Sequence, residues 1–327
     1  LIIDSENRFL SVEPVAIPEL RVSLQRGMTE VTYGDYLEYK ETRRKVVIGK
    51  VELSLDVKPS RHLEPQDFEL EKTTVWSFPK RGDWATHKHN NRYRGNWAPQ
   101  VARNLILLYS KEGELVLDPF MGSGTTIIEC RLLGRRCIGV DINYEAVILA
   151  WSRLDFKISD EPPYKNVRLF HGDARFLDKI DDNSVDLIAT HPPYTNIIKY
   201  SGASDIEGDL SGLGITDYIE NMRAVASELY RVLKPGRTLA IMVGDTRTKK
   251  HIVPLGYMVM KVFLERGFIL REHVIKVQHN MVGSIVWRRR KNNFLLLAHE
   301  HIFVFRKPES PKEMNAYKWS SVEALRI

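Results

Sequence analysis

Leu115-Val-Leu-Asp-Pro-Phe-Met-Gly-Ser-Gly-Thr-Thr126 is the stretch on which the fold turns. Its apolar start and aspartate read as a short buried strand, which Gly122 and Gly124 then break into a loop. A helix is expected over 125–133, closed by Gly134, because glycine takes the positive φ of a helix C′ position cheaply. Glycines at 122 and 124 let backbone approach a ligand closely, and a helix N-terminus offers unpaired N–H groups. A second strand, 137–141, ends in Asp141. From Gly124 to Asp141 is 141 − 124 = 17 residues, close to the spacing at which a doubly wound α/β fold sets an acid on a ribose diol. Loop and acid together point to a nucleoside-bearing cofactor. Position 127 is Ile, so the dinucleotide pattern G-x-G-x-x-G is absent and a pyrophosphate cofactor fits less well.

At 327 residues and 43% hydrophobic, the chain has room for one large α/β domain and a further module. No apolar run approaches the roughly 18 residues of a membrane span, and nothing reads as a signal peptide. The two cysteines, Cys130 and Cys137, fall in the expected helix and the next strand as small buried thiols, outside any metal-ligand spacing, which suits a reducing cytoplasm. A net charge of +6 is compatible with a polyanionic partner and equally with solubility alone.

Residues 1–72 lack the βα rhythm of the remainder and are expected to form an accessory module. Alternation over 45–55 suggests strands there, and the module would serve either as an arm over the sheet edge or in target recognition. From 73 to 97 the composition turns aromatic and basic, with Trp76, Arg81, Trp84, His87, His89, Tyr93 and Trp97. Such interleaving suits stacking on bases, or a loop packed over the cofactor pocket. His87-x-His89 lacks cysteine or carboxylate partners at ligand spacing, so no metal is expected. Helices are expected over 98–109 (Pro99 in its first turn), 143–156 (capped by Asn143), 216–233 and 254–266. Strands are expected over 167–173, 185–190 and 238–243, with a final antiparallel edge pair, 268–277 and 294–306. The tail 308–327 is polar.

Asp118-Pro-Phe-Met-Gly-Ser-Gly124 and, after the strand at 185–190, His191-Pro-Pro-Tyr194 resemble the two motifs of the amino-group DNA methyltransferases, which act on cytosine N4 or adenine N6. The resemblance covers about 73–307, the expected catalytic domain. It implies a Rossmann-like α/β fold with a mostly parallel seven-stranded sheet whose final strand is antiparallel. It also implies S-adenosyl-L-methionine (SAM) as cofactor, held by Asp118, Pro119, Phe120, Gly122, Gly124 and Thr125, with Asn104 on the preceding helix. Asp141 would take the ribose and Asp173 the adenine amino group. Partners implied are double-stranded DNA and a cognate restriction endonuclease, in a prokaryotic, nucleoid-associated setting.

The catalytic group is then His191, Pro192, Pro193 and Tyr194. An exocyclic amine is a poor nucleophile because its lone pair is delocalised into the ring. Acceptors on both amino protons, one from the first side chain and one from a proline carbonyl, would turn that lone pair toward the methyl group. The terminal ring would stack on the flipped base. Position 191 departs from the family's Asp, Asn or Ser. A neutral imidazole still offers one acceptor nitrogen, provided a neighbour fixes its tautomer; otherwise Thr190 contributes, or the site is impaired. A neutral residue there favours cytosine N4 over adenine N6. Cytosine C5 chemistry needs a cysteine nucleophile, and neither cysteine is near the motif. An RNA amino-methyltransferase and a catalytically dead SAM-binding reader of DNA remain rivals. The Gly- and Ser-rich loop 195–214 is expected to close over the base. Arg288, Arg289, Arg290 and Lys291, beside Trp287, are expected to grip phosphates, with a solvated basic hairpin as the plainer reading.

Overall fold

The structure is a computed structural model; it describes residues 2–3, 9–10, 27–93, 95–158, 160–194, 206–279 and 293–326. The expected loop closure over 195–205 and the cationic run Arg288, Arg289, Arg290 and Lys291 lie outside the described residues.

After a two-stranded antiparallel pair, Ile2–Ile3 with Phe9–Leu10, the strands and α-helices in chain order are β1 (Thr29–Glu30), α1 (Tyr33–Thr42), β2 (Lys45–Ile48), β3 (Val51–Ser54), β4 (Val75–Ser77) and α2 (Pro99–Tyr109). There follow β5 (Leu115–Asp118), α3 (Thr125–Leu132), β6 (Arg136–Asp141), α4 (Tyr144–Leu154), β7 (Val167–His171), β8 (Val185–Thr190), α5 (Ile215–Val232) and β9 (Leu233–Val243). A small hairpin, β10 (Thr246–Thr248) and β11 (His251–Val253), leads to α6 (Leu255–Arg266), β12 (Ile269–Val277), β13 (His299–Arg306) and α7 (Pro311–Ala316). None of the described helices is long and apolar enough to cross a membrane.

The central sheet runs β1-β7-β6-β5-β8-β9-β13-β12-β4. Strands β7, β6, β5, β8 and β9 are mutually parallel, and β13 inserts antiparallel between β9 and β12. The expected seven strands, with the last one antiparallel, are therefore present. Two short strands extend them: β1 pairs antiparallel with β7, and β4 pairs parallel with β12. The last two strands pair as expected, but β4 lies outside them.

Both faces of the sheet are covered, which is why the central strands read as nearly continuous apolar runs. Alternate residues feed two cores. Val116, Leu187, Ala189 and Met242 pack with α2, α3 and α4, while Leu117, Ile188, Ile241 and Val243 pack with α5 and α6. Local chemistry sets the element ends. Asn143 caps α4 by accepting from Glu145 N–H at 3.0 Å, and Gly134 (φ +70°) and Gly267 (φ +108°) stop α3 and α6. At Lys234-Pro-Gly236 the chain does not form a separate turn. Strand β9 already begins at Leu233, and its register against β8 shifts across this stretch.

Part of the expected N-terminal module shares the main core. Tyr36 of α1 is fully buried, and the hydroxyls of Tyr33 and Tyr36 donate to the Asp155 carboxylate at 2.8 and 3.1 Å. Trp151 Nε1 of α4 donates to Val31 O at 2.7 Å, and Val46, Leu53 and Leu55 pack beside α4. The strand order reverses between β5 and β8, the place where open α/β sheets bind ligands at the carboxyl ends of their strands.

Candidate active site

At that reversal a cleft encloses about 830 Å³, open solvent at its mouth included. Its walls include Asp118, Pro119, Phe120, Gly122, Thr125, Asp141, Asp173, His191 and Pro193, so strand ends distant in sequence converge on one space.

Asp118 closes β5. Its buried carboxylate accepts from Phe120 N–H at 3.1 Å, from Thr190 Oγ1 at 2.7 Å and from Thr126 Oγ1. Burial pushes it up to about 6 despite these bonds. Asp118 thus ties the glycine loop to the end of β8, immediately before His191. The Thr190 hydroxyl is spent on that bond, so Thr190 is not aimed at a substrate.

The glycines do what the loop requires. Gly122 has φ +51°, and a Cβ on it would lie 2.9 Å from the Tyr93 hydroxyl. Gly124 (φ +82°) opens α3 without a side-chain cap, and a Cβ there would lie 3.1 Å from Ala150 Cβ of α4. The Gly122 N–H donates to Asp141 Oδ2 at 2.9 Å, and Asn143 N–H donates to Oδ1 at 2.9 Å. Burial nevertheless pushes Asp141 up to about 7. Asp173 also faces the cleft, but both its oxygens accept from Arg175 Nε, at 2.9 and 3.0 Å, and Arg175 Nη2 adds a further bond. Any adenine contact by Asp173 is therefore made from within an ion pair.

Asn104, expected on the cofactor, lies elsewhere. It is absent from the cleft wall, and its side-chain amide is used on the backbone of Glu71, accepting from Glu71 N–H at 2.8 Å and donating to Glu71 O at 2.9 Å. Instead Tyr93, Asn96 and Trp97 reach the cleft from the preceding segment. Trp76, Trp84, Tyr93 and Trp97 are all buried, so in this segment the packed-loop reading holds and the aromatic faces are not a free stacking platform. Trp84 Nε1 and His87 Nε2 both engage Glu129 Oε1, at 2.7 and 2.6 Å, and His89 Nε2 lies 2.8 Å from Lys58 O, so the two histidines point to separate partners. Cys130 and Cys137 are buried side by side, and burial pushes the Cys130 thiol well up, the opposite of an activated nucleophile.

His191-Pro-Pro-Tyr194 follows β8; His191 and Pro193 line the cleft, whereas Pro192 and Tyr194 are not part of its wall. The imidazole of His191 stacks on Trp97, ring centroids 6.0 Å apart at 23°, and burial lowers its pKa to about 4, keeping it neutral. Nε2 lies 2.6 Å from the Tyr194 hydroxyl, whereas Nδ1 is a buried nitrogen with no hydrogen-bond partner among the described residues. The hydroxyl of Tyr194 donates to Glu300 Oε1 at 3.0 Å, and Lys276 donates to Glu300 Oε2 at 2.9 Å. Glu300, Lys276 and Arg175 gave no sequence signal. They lie in unremarkable strand and loop text, and only the sheet order brings them to the site.

The donor set fits SAM. Asp141 is an acceptor for a ribose diol, Phe120 and Ile142 are apolar neighbours for a base, and the glycine-lined start of α3 offers N–H groups to a carboxylate. A family profile described as DNA methylase matches residues 32–151 and 185–324. A tRNA (guanine(10)-N2)-dimethyltransferase of Methanothermobacter thermautotrophicus is 36% identical over 110 residues, 33% of this chain and 30% of that protein. Type II methyltransferase M.HpaI of Haemophilus parainfluenzae is 53% identical over 88 residues, 25% of this chain and 26% of that protein. The chain therefore aligns with less than a third of the length of either relative. The solved structure of TrmN from Thermus thermophilus superposes with a TM-score of 0.42 at 19% identity, over 65% of this chain and 50% of that one.

Proposed function

The chain belongs to the DNA methylase family, whose profile spans most of its length, and on that footing we propose that it methylates the exocyclic amine of a base flipped from double-stranded DNA, cytosine N4 favoured. One observation carries the reading: His191, neutral and with a buried Nδ1 that has no hydrogen-bond partner among the described residues, lines the same cleft as the cofactor cradle of Asp118, Gly122 and Asp141. SAM, when bound, supplies an electrophilic methyl group.

The protein's part is positioning and electrostatics. His191 Nδ1 accepts one amino N–H of the target base, the carbonyl of Pro192 accepts the other, and the ring of Tyr194 covers the base. Held this way, the nitrogen lone pair is turned out of conjugation. As the N–C bond forms the nitrogen becomes strongly acidic, so even a weak base such as His191 takes its proton and passes it to water. Asp118 keeps the histidine in register through Thr190. A neutral acceptor suits cytosine N4, and adenine N6 is the alternative at the same site. Arg288, Arg289, Arg290 and Lys291 would supply phosphate contacts, and the likeness to M.HpaI supports a restriction endonuclease as partner.

RNA is a second reading with its own support, the likeness to a tRNA guanine-N2 dimethyltransferase, since guanine N2 is also an exocyclic amine. Transfer of labelled methyl from SAM into unmethylated genomic DNA, set beside transfer into total tRNA and rRNA, separates the two. Preferential label in DNA supports the main reading. Label in RNA alone replaces it with the second, and label in neither leaves a SAM-binding reader of DNA.

A further inference from the structure

A neutral imidazole accepts on one nitrogen and donates on the other, so the value of His191 as an acceptor depends on which nitrogen carries the proton. The Tyr194 hydroxyl has one proton, and it goes to Glu300 Oε1 at 3.0 Å. Its oxygen can then only accept from Nε2, 2.6 Å away, which places the ring proton on Nε2 and leaves Nδ1 bare. That Nδ1 is the atom without a partner among the described residues.

Sheet topology builds the rest of the chain of contacts. Because β13 runs antiparallel, its first residues lie where the parallel strands end. Glu300 stands directly opposite Lys276 in the β12–β13 register, and the two form a buried ion pair at 2.9 Å. Burial raises the Glu300 pKa, but the Lys276 ammonium, with hydrogen bonds from Lys276 and Gln278, outweighs it and brings the carboxyl below its ordinary range. Gly244, just past β9, leaves room for the tyrosine. A Cβ there would lie 2.9 Å from Tyr194 Cε2 and 3.5 Å from Glu300 Cγ.

We propose that Glu300, paired with Lys276, is a positioning residue that sets the tautomer of His191 through the Tyr194 hydroxyl, so that a lone pair and not a proton faces the target amine. The inference rests on the reading of His191 as the amine acceptor. An Asp, Asn or Ser at this position carries its acceptor by its own chemistry; a histidine acquires one only if something outside it assigns the proton.

Glu300→Gln tests it. Lys276 would still donate to the amide oxygen, which turns the NH2 group toward Tyr194. The hydroxyl then accepts from the amide and donates to Nε2, and the ring proton moves to Nδ1. Expected are a fall in kcat of about 100-fold with SAM affinity unchanged, and a smaller loss in Tyr194→Phe, which breaks the relay without reversing it. Glu300→Gln added to Tyr194→Phe should cost little more. The direct readout is the 15N spectrum of histidine-labelled protein without nucleic acid or cofactor, His191 being assigned by the resonances lost in His191→Asn. Wild type should show the Nε2–H form and Glu300→Gln the Nδ1–H form. This readout holds even if no nucleic acid is methylated, an outcome that would sink the proposed function alone. A wild-type Nδ1–H ring, or a Glu300→Gln protein with wild-type kcat and an unchanged spectrum, overturns the inference.

Discussion

Asp141 sits half-buried at the end of β6 on the cleft wall, and burial pushes its pKa up to about 7, which puts its charge change near neutrality. A raised carboxyl stabilises the fold, relative to its ionised form, only at low pH; that contribution is lost as pH rises from the ordinary carboxylate range through 7. Ribose hydroxyls donate to the ionised form, so cofactor binding offsets the loss. The affinity for SAM should therefore rise about 10-fold between pH 5.5 and 7.5, as expected for hydrogen bonds to a charged acceptor, and Asp141→Asn should be nearly flat across that range. Calorimetry on both proteins checks this, and parallel curves would remove Asp141 from the diol role. His191 gives a second prediction. His191→Ala should lower kcat by about 100-fold or more with SAM affinity unchanged, and His191→Asn, which restores an acceptor, should recover much of it. Single-turnover methyl transfer decides between them, and equal loss in both variants would argue against an acceptor role. The two motifs were legible from residue types and spacing because their chemistry is local. The tautomer of His191 was not, because it is set by Tyr194 acting with Glu300, 106 residues further along the chain.

At the level of elements, the glycine loop, α3 and β6 formed where the sequence placed them, since φ-permissive residues and apolar periodicity act over a few neighbours. The two added strands were hidden for a converse reason. Thr29–Glu30 and Val75–Ser77 are too short to carry a periodic signal and exist by pairing with β7 and β12. The aromatic segment 73–97 misled in the same way, because an aromatic residue beside a cation looks alike whether it meets a base or a core. What decides here is Glu129 of α3, fully buried, which engages Trp84, His87 and Arg103 together. Asn104 likewise spends its amide anchoring the segment through Glu71. Glu129→Ala removes a buried carboxylate from under a guanidinium and two ring N–H groups, and should destabilise the protein by about 3 kcal/mol in urea unfolding. A change under about 0.5 kcal/mol, typical of an exposed pair, would show that the segment is not held this way.

For the whole molecule, α1 and the β2–β3 hairpin lie on α4, with Tyr36, Val46, Leu53 and Leu55 buried there, so residues 28–55 complete a core more than they append a module. A chain starting at Thr73 should lose cooperative unfolding and bind hydrophobic dye, because the outer face of α4 becomes exposed apolar surface. A truncated chain with an unchanged melting temperature would establish a separable module. The sheet as a whole is what makes a site from Asp118, Asp141, His191 and Glu300. They belong to four strands or strand ends; the reversal of strand order between β5 and β8 opens the cleft among the first three, and Glu300 reaches His191 through Tyr194. The activity proposed for this cleft is methylation of an exocyclic amine. The protein should be incubated with SAM and unmethylated DNA, the DNA digested, and the nucleosides identified by mass spectrometry. N4-methylcytosine is the predicted product, and N6-methyladenine would keep the chemistry and change the base. 5-Methylcytosine would contradict the account, because it requires a thiol nucleophile that Cys130 and Cys137, both buried away from the cleft, cannot supply.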